Sequence, residues 1–123
     1  MIVLDYSDKR PIYEQVVDRL QTLIVSGVLE PDEKLPSVRA LAMELSINPN
    51  TIQRAYSELE RDGLIYSVKG RGNFVRVDQR ILEIQQQKLI DAVKKQVTAC
   101  RNQRVAYERI LDCVKEVYGE VPG

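Results

Sequence analysis

Between residues 11 and 63 the apolar positions fall into three short helical repeats separated by turn residues. Tyr13, Val16, Val17, Leu20, Leu23 and Ile24 recur at three- and four-residue intervals, with Glu14, Gln15, Asp18 and Thr22 opposite them. That spacing predicts an amphipathic helix. Pro11 suits its first position, where a missing N–H is harmless, and Ser26-Gly27 ends it. With Gly27, Pro31 and Pro36, the stretch from Gly27 to Pro36 reads as an ordered loop. Ser37 precedes Val38, Leu41, Ala42 and Leu45, so it caps a short second helix with its hydroxyl. After the tight connection Ser46-Ile47, Asn48 caps a third helix and Pro49 opens it. Ile52, Ala55, Tyr56 and Leu59 form its buried stripe, and Gly63 stops it.

The pattern then changes. Leu64 to Val68 and Asn73 to Val77 are rich in β-branched and aromatic residues and flank Lys69-Gly70-Arg71-Gly72, which predicts a β-hairpin. Residues 2–4 read as a short extended piece. From Asp78 onward Gly and Pro vanish until Gly119. Leu82, Leu89, Ile90, Val93 and Val97 mark one helical face, and Tyr107, Ile110, Leu111, Val114 and Val117 mark another. The weakest helical stretch between them, Cys100-Arg101-Asn102, is where a bend is expected; a helix from Asp78 to Val97 is about 30 Å long. Gly119 to Gly123 are expected to fray. The fold class is mainly α with a small β-hairpin. Residues 1–77 form a winged helix-turn-helix, and residues 78–123 form a tail of two C-terminal dimerisation helices.

Composition narrows the function classes. Of 123 residues, 44% are apolar, enough for a core, and no run approaches the length of a membrane span. The opening Met1-Ile2-Val3-Leu4-Asp5 turns acidic at once and lacks a signal peptide's basic flank, so a cytoplasmic protein is expected. There is no histidine, which removes the usual general base and zinc ligand. The two cysteines, Cys100 and Cys113, are too few and too far apart for a metal knuckle and are expected to be reduced thiols. Lys69-Gly70-Arg71-Gly72 is too short for a P-loop. No enzymatic activity, metal or cofactor is expected, and nothing indicates a small-molecule effector.

Charge matters through its distribution. The 18 basic and 18 acidic residues cancel, yet Lys34, Arg39, Arg54, Arg61, Lys69, Arg71 and Arg76 outnumber Glu44, Glu58, Glu60 and Asp62 between residues 34 and 76. On the third helix Asn50, Gln53, Arg54, Ser57 and Arg61 lie opposite the buried stripe, and no acid precedes Glu58. Amides and guanidinium groups are the donors and acceptors that read base edges. A solvated helix face looks similar, so the face gains weight from its place in a helix-turn-helix. Arg39 sits in the first turn of the second helix, where a cation opposes the helix dipole; a phosphate partner explains it, as does an ion pair with Glu44 or Glu33. At the hairpin tip Lys69 and Arg71 alternate with Gly70 and Gly72, which let the backbone approach a groove. The residues assigned to DNA are Ser37, Arg39, Asn48, Asn50, Thr51, Gln53, Arg54, Ser57, Lys69, Gly70, Arg71 and Gly72. Those assigned to a dimer interface are Leu82, Leu89, Ile90, Val93, Val97, Tyr107, Ile110, Leu111 and Val114.

Two functions fit these residues: a sequence-specific transcription factor, and a winged-helix protein-interaction module without specific DNA binding. Neutral net charge favours the second, and the placement of Arg39, Arg54, Lys69 and Arg71 favours the first. Five blocks taken in order then carry a resemblance. They are Pro11-Ile12-Tyr13-Glu14-Gln15, Leu35-Pro36-Ser37-Val38-Arg39-Ala40-Leu41-Ala42, Asn48-Pro49-Asn50-Thr51-Ile52-Gln53-Arg54-Ala55-Tyr56, Glu58-Leu59-Glu60-Arg61-Asp62-Gly63-Leu64-Ile65 and Gly70-Arg71-Gly72-Asn73-Phe74-Val75. Over residues 11–77 the chain resembles the GntR family DNA-binding domain, and its short helical tail resembles the YtrA subfamily. The resemblance implies a cytoplasmic, homodimeric, repressor-like regulator that binds double-stranded operator DNA at an inverted repeat. It implies DNA contacts from Arg39, Asn50, Thr51, Gln53 and Arg54, with Gly70 and its neighbours in the minor groove. Asn73 stands where the family often has Thr. The 46 residues after Val77 are too few for the large effector domain of other subfamilies.

Overall fold

A computed structural model describes residues 2–119. In chain order the elements are α1 (Ile12–Val25), α2 (Val38–Leu45), α3 (Pro49–Arg61), β1 (Ile65–Val68), β2 (Gly72–Val75), α4 (Gln79–Asn102) and α5 (Tyr107–Tyr118). Contacts divide the chain into two compact units, one running to Leu82 and the other starting at Glu83. Residues 120–123, where fraying is expected, lie outside the described residues.

The first unit is built on the three stripes that the sequence pattern marks. Val16, Leu20 and Ile24 of α1, Leu41 and Ala42 of α2, and Ile52, Ala55, Tyr56 and Leu59 of α3 are all buried, together with Leu64, Ile65 and Val75 from the hairpin. Each large side chain among them is stabilised by roughly 1.5–3 kcal/mol relative to exposure. The core also takes in Ile81, from the first turn of α4. Gly63 has φ +80°, and a Cβ there would stand 3.0 Å from the Ile81 side chain. Glycine at this helix stop thus serves both the backbone and the packing of α4's first turn.

Helix ends follow the caps. The Ser37 hydroxyl accepts from the Ala40 N–H at 3.0 Å, and the Asn48 side chain accepts from the Asn50 N–H at 2.8 Å. Between α2 and α3, Ser46 takes the left-handed conformation at φ 55°, and the Ile47 N–H returns to the Ala42 carbonyl at 2.9 Å. A three-residue link therefore turns one helix into the next. Pro11 stands one residue ahead of α1 as its cap rather than as its first residue, a difference within ordinary end fraying.

Three expectations are corrected, two of them by contacts distant in sequence. Gln15, placed on the polar side of α1, is 1% exposed. Its side-chain oxygen accepts from the Asp5 N–H at 3.0 Å and its amide donates to the Arg10 carbonyl at 3.4 Å. The N-terminal segment lies over α1 and turns that solvent position into a buried anchor, which helical periodicity cannot register. The loop between α1 and α2 contains extended backbone: Lys34 bridges to Phe74, the Leu35 N–H donates to Asn73 O at 2.9 Å, and the Asp32 N–H donates to Val75 O at 2.7 Å. Residues 32–35 thereby cover the edge of β2 that β1 leaves open. Finally, α4 continues through Cys100-Arg101-Asn102. The chain breaks after it, at residues 103–106, where Arg104 has φ 62° and the Val105 N–H bonds to Cys100 O at 2.9 Å. One Cys and one Asn are small propensity losses that an established helix absorbs.

In the second unit the apolar faces are largely open. Leu89, Ile90, Val93 and Val97 on α4 and Tyr107, Leu111, Val114, Val117 and Tyr118 on α5 are exposed large hydrophobic residues, whereas Ile110 is half-buried. Leu82, the last residue of the first unit, is half-buried as well. No helix among the described residues is long and apolar enough to cross a membrane.

Tyr56 supplies a test of the core. It is 2% exposed, and its hydroxyl donates to the Pro36 carbonyl at 2.7 Å, holding the chain that enters α2. Burial, with Glu44 adding a smaller repulsion, pushes its hydroxyl up to about 12 from the ordinary 10.0. The folded state therefore holds this proton more tightly than the unfolded chain. Its contribution is whole below about pH 10 and is lost as pH rises towards about 12. Tyr56→Phe is expected to cost about 1 kcal/mol at neutral pH and to flatten that part of the alkaline loss. Urea melts of both proteins at about pH 8 and about pH 11 measure it.

Candidate nucleic-acid interface

The side chains that matter are positioned by α3. Its buried stripe faces α1 and α2, so a 100° period leaves Asn50, Gln53, Arg54 and Ser57 exposed, with Thr51 half-buried beside them. Gln53 donates to the Ser57 hydroxyl at 3.2 Å, linking two members of the face one turn apart. The Arg54 guanidinium lies over the Tyr13 ring of α1, 3.7 Å from its centroid. Asn48 is occupied as the cap of the helix. The first turn of α3 carries no acid, so the positive end of its dipole is uncompensated.

Around this face the cations form no salt bridge among the described residues. Salt bridges among the described residues join Arg10 to Asp8 and Asp18, and Arg76 to Asp78. Arg39, Arg54, Lys69 and Arg71 take part in none. The ion pair of Arg39 with Glu44 or Glu33 is not formed; a Glu33 carboxylate oxygen instead accepts from the Glu30 N–H at 3.1 Å. Arg39 is exposed in the first turn of α2, and Ser37 has its oxygen committed to capping.

The hairpin brings the second basic group. Lys69, Gly70 and Arg71 form its tip, closed by the Arg71 N–H on Val68 O at 2.9 Å. Gly70 has φ +78° and Gly72 has φ +121°. Strands pair in the register Ile65↔Val75, Tyr66↔Phe74, Ser67↔Asn73 and Val68↔Gly72. On one side the Tyr66 and Phe74 rings stack with centroids 5.6 Å apart, and the Tyr66 hydroxyl donates to Asp32 at 2.8 Å. That acceptor raises the Tyr66 pKa. On the other side Ser67 donates to the Glu60 carboxylate at 2.5 Å, with the Asn73 side-chain oxygen 2.8 Å away. A shallow open cleft lined by Gln53, Ser57, Glu60, Arg61 and Ser67 lies between α3 and the hairpin.

The structure thus gathers Gln53, Arg54 and Ser57 on one helix face and Lys69 to Gly72 at one hairpin tip. The assigned dimer residues belong to other elements, α4 and α5. Sequence reasoning missed Tyr13, Glu60 and Ser67 as neighbours of this surface. Tyr13 reads as an ordinary member of an apolar stripe, and no local signal marks its partner. Among the described residues no cluster of Cys, Asp or Glu could hold a metal ion; Cys100 is half-buried and Cys113 is exposed, both as free thiols.

Two helices joined by a tight turn, preceded by a third and followed by a hairpin, define a winged helix-turn-helix. Residues 12–75 match the bacterial regulatory proteins of the gntR family. The chain is 34% identical to the HTH-type transcriptional repressor YtrA of Bacillus subtilis, across 100% of this chain and 96% of that protein. Its structure is similar to a GntR family transcriptional regulator from Listeria monocytogenes, with a TM-score of 0.76 and 38% identity over 92% of this chain and 98% of that one. The AraR DNA-binding domain, solved in complex with operator ORR3, matches 61% of this chain and 90% of its own, with a TM-score of 0.53 and 33% identity. The chain belongs to the gntR family of bacterial regulatory proteins, and its relatives are transcription regulators rather than enzymes.

The two hairpin glycines are expected to differ in their tolerance of a side chain. At Gly72 the backbone is in a region nearly closed to other residues, and a Cβ would meet the Lys34 stem at 3.2 Å. Gly70 faces open space at a milder φ. Gly72→Ala is expected to destabilise the protein by about 1–3 kcal/mol, and Gly70→Ala by about 1 kcal/mol. Denaturant melts that rank them the other way contradict this account of the hairpin.

Proposed function

We propose that this chain is a sequence-specific, DNA-binding transcriptional repressor that acts in the cytoplasm as a homodimer on an inverted-repeat operator. The observation that carries the reading is the face of α3. Amide and guanidinium donors stand outward there, no acid shares the leading half, and Arg39, Arg54, Lys69 and Arg71 have no salt-bridge partner among the described residues. Unpaired cations flanking such a helix suit phosphates on either side of a major groove. The interaction-module alternative leaves them unexplained. In this reading Asn50, Gln53 and Arg54 read base edges, and Ser57 borders them. Ser37, Arg39, Asn48 and Thr51 lie along the backbone, and Lys69, Gly70, Arg71 and Gly72 enter the minor groove.

The exposed apolar faces of the tail support pairing through it. Leu89, Ile90, Val93 and Val97, with Tyr107, Leu111 and Val114, offer more hydrophobic surface than a lone tail covers, and a two-fold partner is the economical cover. A dimer also places two recognition helices about 34 Å apart, one turn of DNA.

Two experiments test the proposal. From a pool of randomised duplexes the protein is expected to enrich one two-fold symmetric site. Arg54→Ala is then expected to lose about 1–3 kcal/mol on it and to relax preference at one base position per half-site. A variant with the wild-type ratio between that site and its single-base variants shows that Arg54 reads no base. Separately, a chain ending after Leu82 is expected to stay folded, sediment as a monomer and keep only weak non-specific binding. A full-length monomer at micromolar concentration, or a shortened chain that still dimerises, refutes the tail's role.

A further inference from the structure

Arg54 and Tyr13 belong to different helices, yet the guanidinium carbon stands 3.7 Å from the ring centroid. That separation is the van der Waals contact distance of a guanidinium lying flat on the ring, an arrangement in which the ring covers one face of the guanidinium plane. Its N–H groups radiate within that plane, and among the described residues they donate no hydrogen bond and meet no carboxylate. Tyr13 is half-buried on α1, and its hydroxyl donates to Glu14 at 3.3 Å, so the ring is the held partner. Arg54, exposed on α3, is the long side chain that would otherwise sample many rotamers. A bidentate contact to guanine needs the guanidinium presented edge-first, with both donors fixed in direction. A ring beneath the plane supplies that restraint without using any donor.

We propose that Tyr13 is a positioning residue for base recognition, its ring holding the Arg54 guanidinium edge-outward before DNA arrives. The proposal rests on the DNA-binding reading of α3 and adds to it a specificity determinant on α1. It assigns to an apolar-stripe tyrosine a role that acts only through Arg54.

The test uses the full chain and the site that wild type enriches from randomised duplexes. Discrimination between this site and its single-base variants is measured for wild type, Tyr13→Phe, Tyr13→Leu and a protein with pentafluorophenylalanine at position 13. The last keeps the ring's shape but reverses its quadrupole, so the comparison stands even if Tyr13→Leu folds poorly. Each is repeated with Arg54→Ala. Tyr13→Phe is expected to discriminate within about twofold of wild type. The pentafluoro and Leu proteins are expected to lose about tenfold at the base position that Arg54→Ala also relaxes, with affinity for unrelated duplex unchanged. In the Arg54→Ala background all Tyr13 variants are expected to be alike. Undiminished discrimination in the pentafluoro protein, tighter operator binding without the ring, or a Tyr13 effect that survives Arg54→Ala overturns the proposal and leaves the DNA reading intact. A wild-type protein that enriches no sequence overturns the DNA reading, and this proposal with it.

Discussion

The rotation of α3 about its own axis is set by four buried side chains, and the rest of the interface depends on it. Ile52, Ala55 and Leu59 are fully buried and Tyr56 nearly so, packed with Val16, Leu20 and Ile24 of α1 in one cluster. A helix has one phase. Once this stripe is inside, Gln53, Arg54 and Ser57 can only be outside, and turning the helix by one residue would expose an isoleucine or bury a guanidinium. The second alternative is far more costly than any contact the outer face makes within the protein. Tyr56 adds a polar fix to the apolar one, because its hydroxyl reaches the Pro36 carbonyl at the entrance to α2.

The hairpin is tied to the same body from two sides. Residues 32–35 pair along the outer edge of β2, and Ser67 reaches back to Glu60 on the last turn of α3. A two-stranded hairpin of four-residue strands is marginal by itself, so these attachments explain how a small loop can present Lys69 and Arg71 at a defined place. They also give the acidic Glu60 a structural task in a region otherwise dominated by cations. A carboxylate engaged with a hydroxyl at the end of the helix leaves the basic leading half undisturbed.

The tail follows a different logic. Its helices form readily from good helix formers, but their apolar faces find little to bury within the chain. The winged unit closes on its own core, whereas the tail leaves most of its large apolar residues exposed.

The elements that were legible in the residues are those governed by neighbours within a few positions. The caps at Ser37 and Asn48, the stripes of the first three helices, the stop at Gly63 and the hairpin all rest on local hydrogen bonding and periodicity, and all appear in the structure. The outward set on α3 was legible for the same reason, since a period and a buried stripe together name the opposite face. What only the tertiary structure decided involves partners far apart in sequence. Gln15 became buried because the N-terminal segment lies over it, and 32–35 became an edge because β2 had one to cover. Above all, Tyr13 meets Arg54 across 41 positions of chain. Sequence alone ranks Tyr13 with the core and Arg54 with the surface; only the packing of α1 on α3 brings the ring under the guanidinium, because side-chain contacts between helices depend on how the helices cross and not on either one's periodicity.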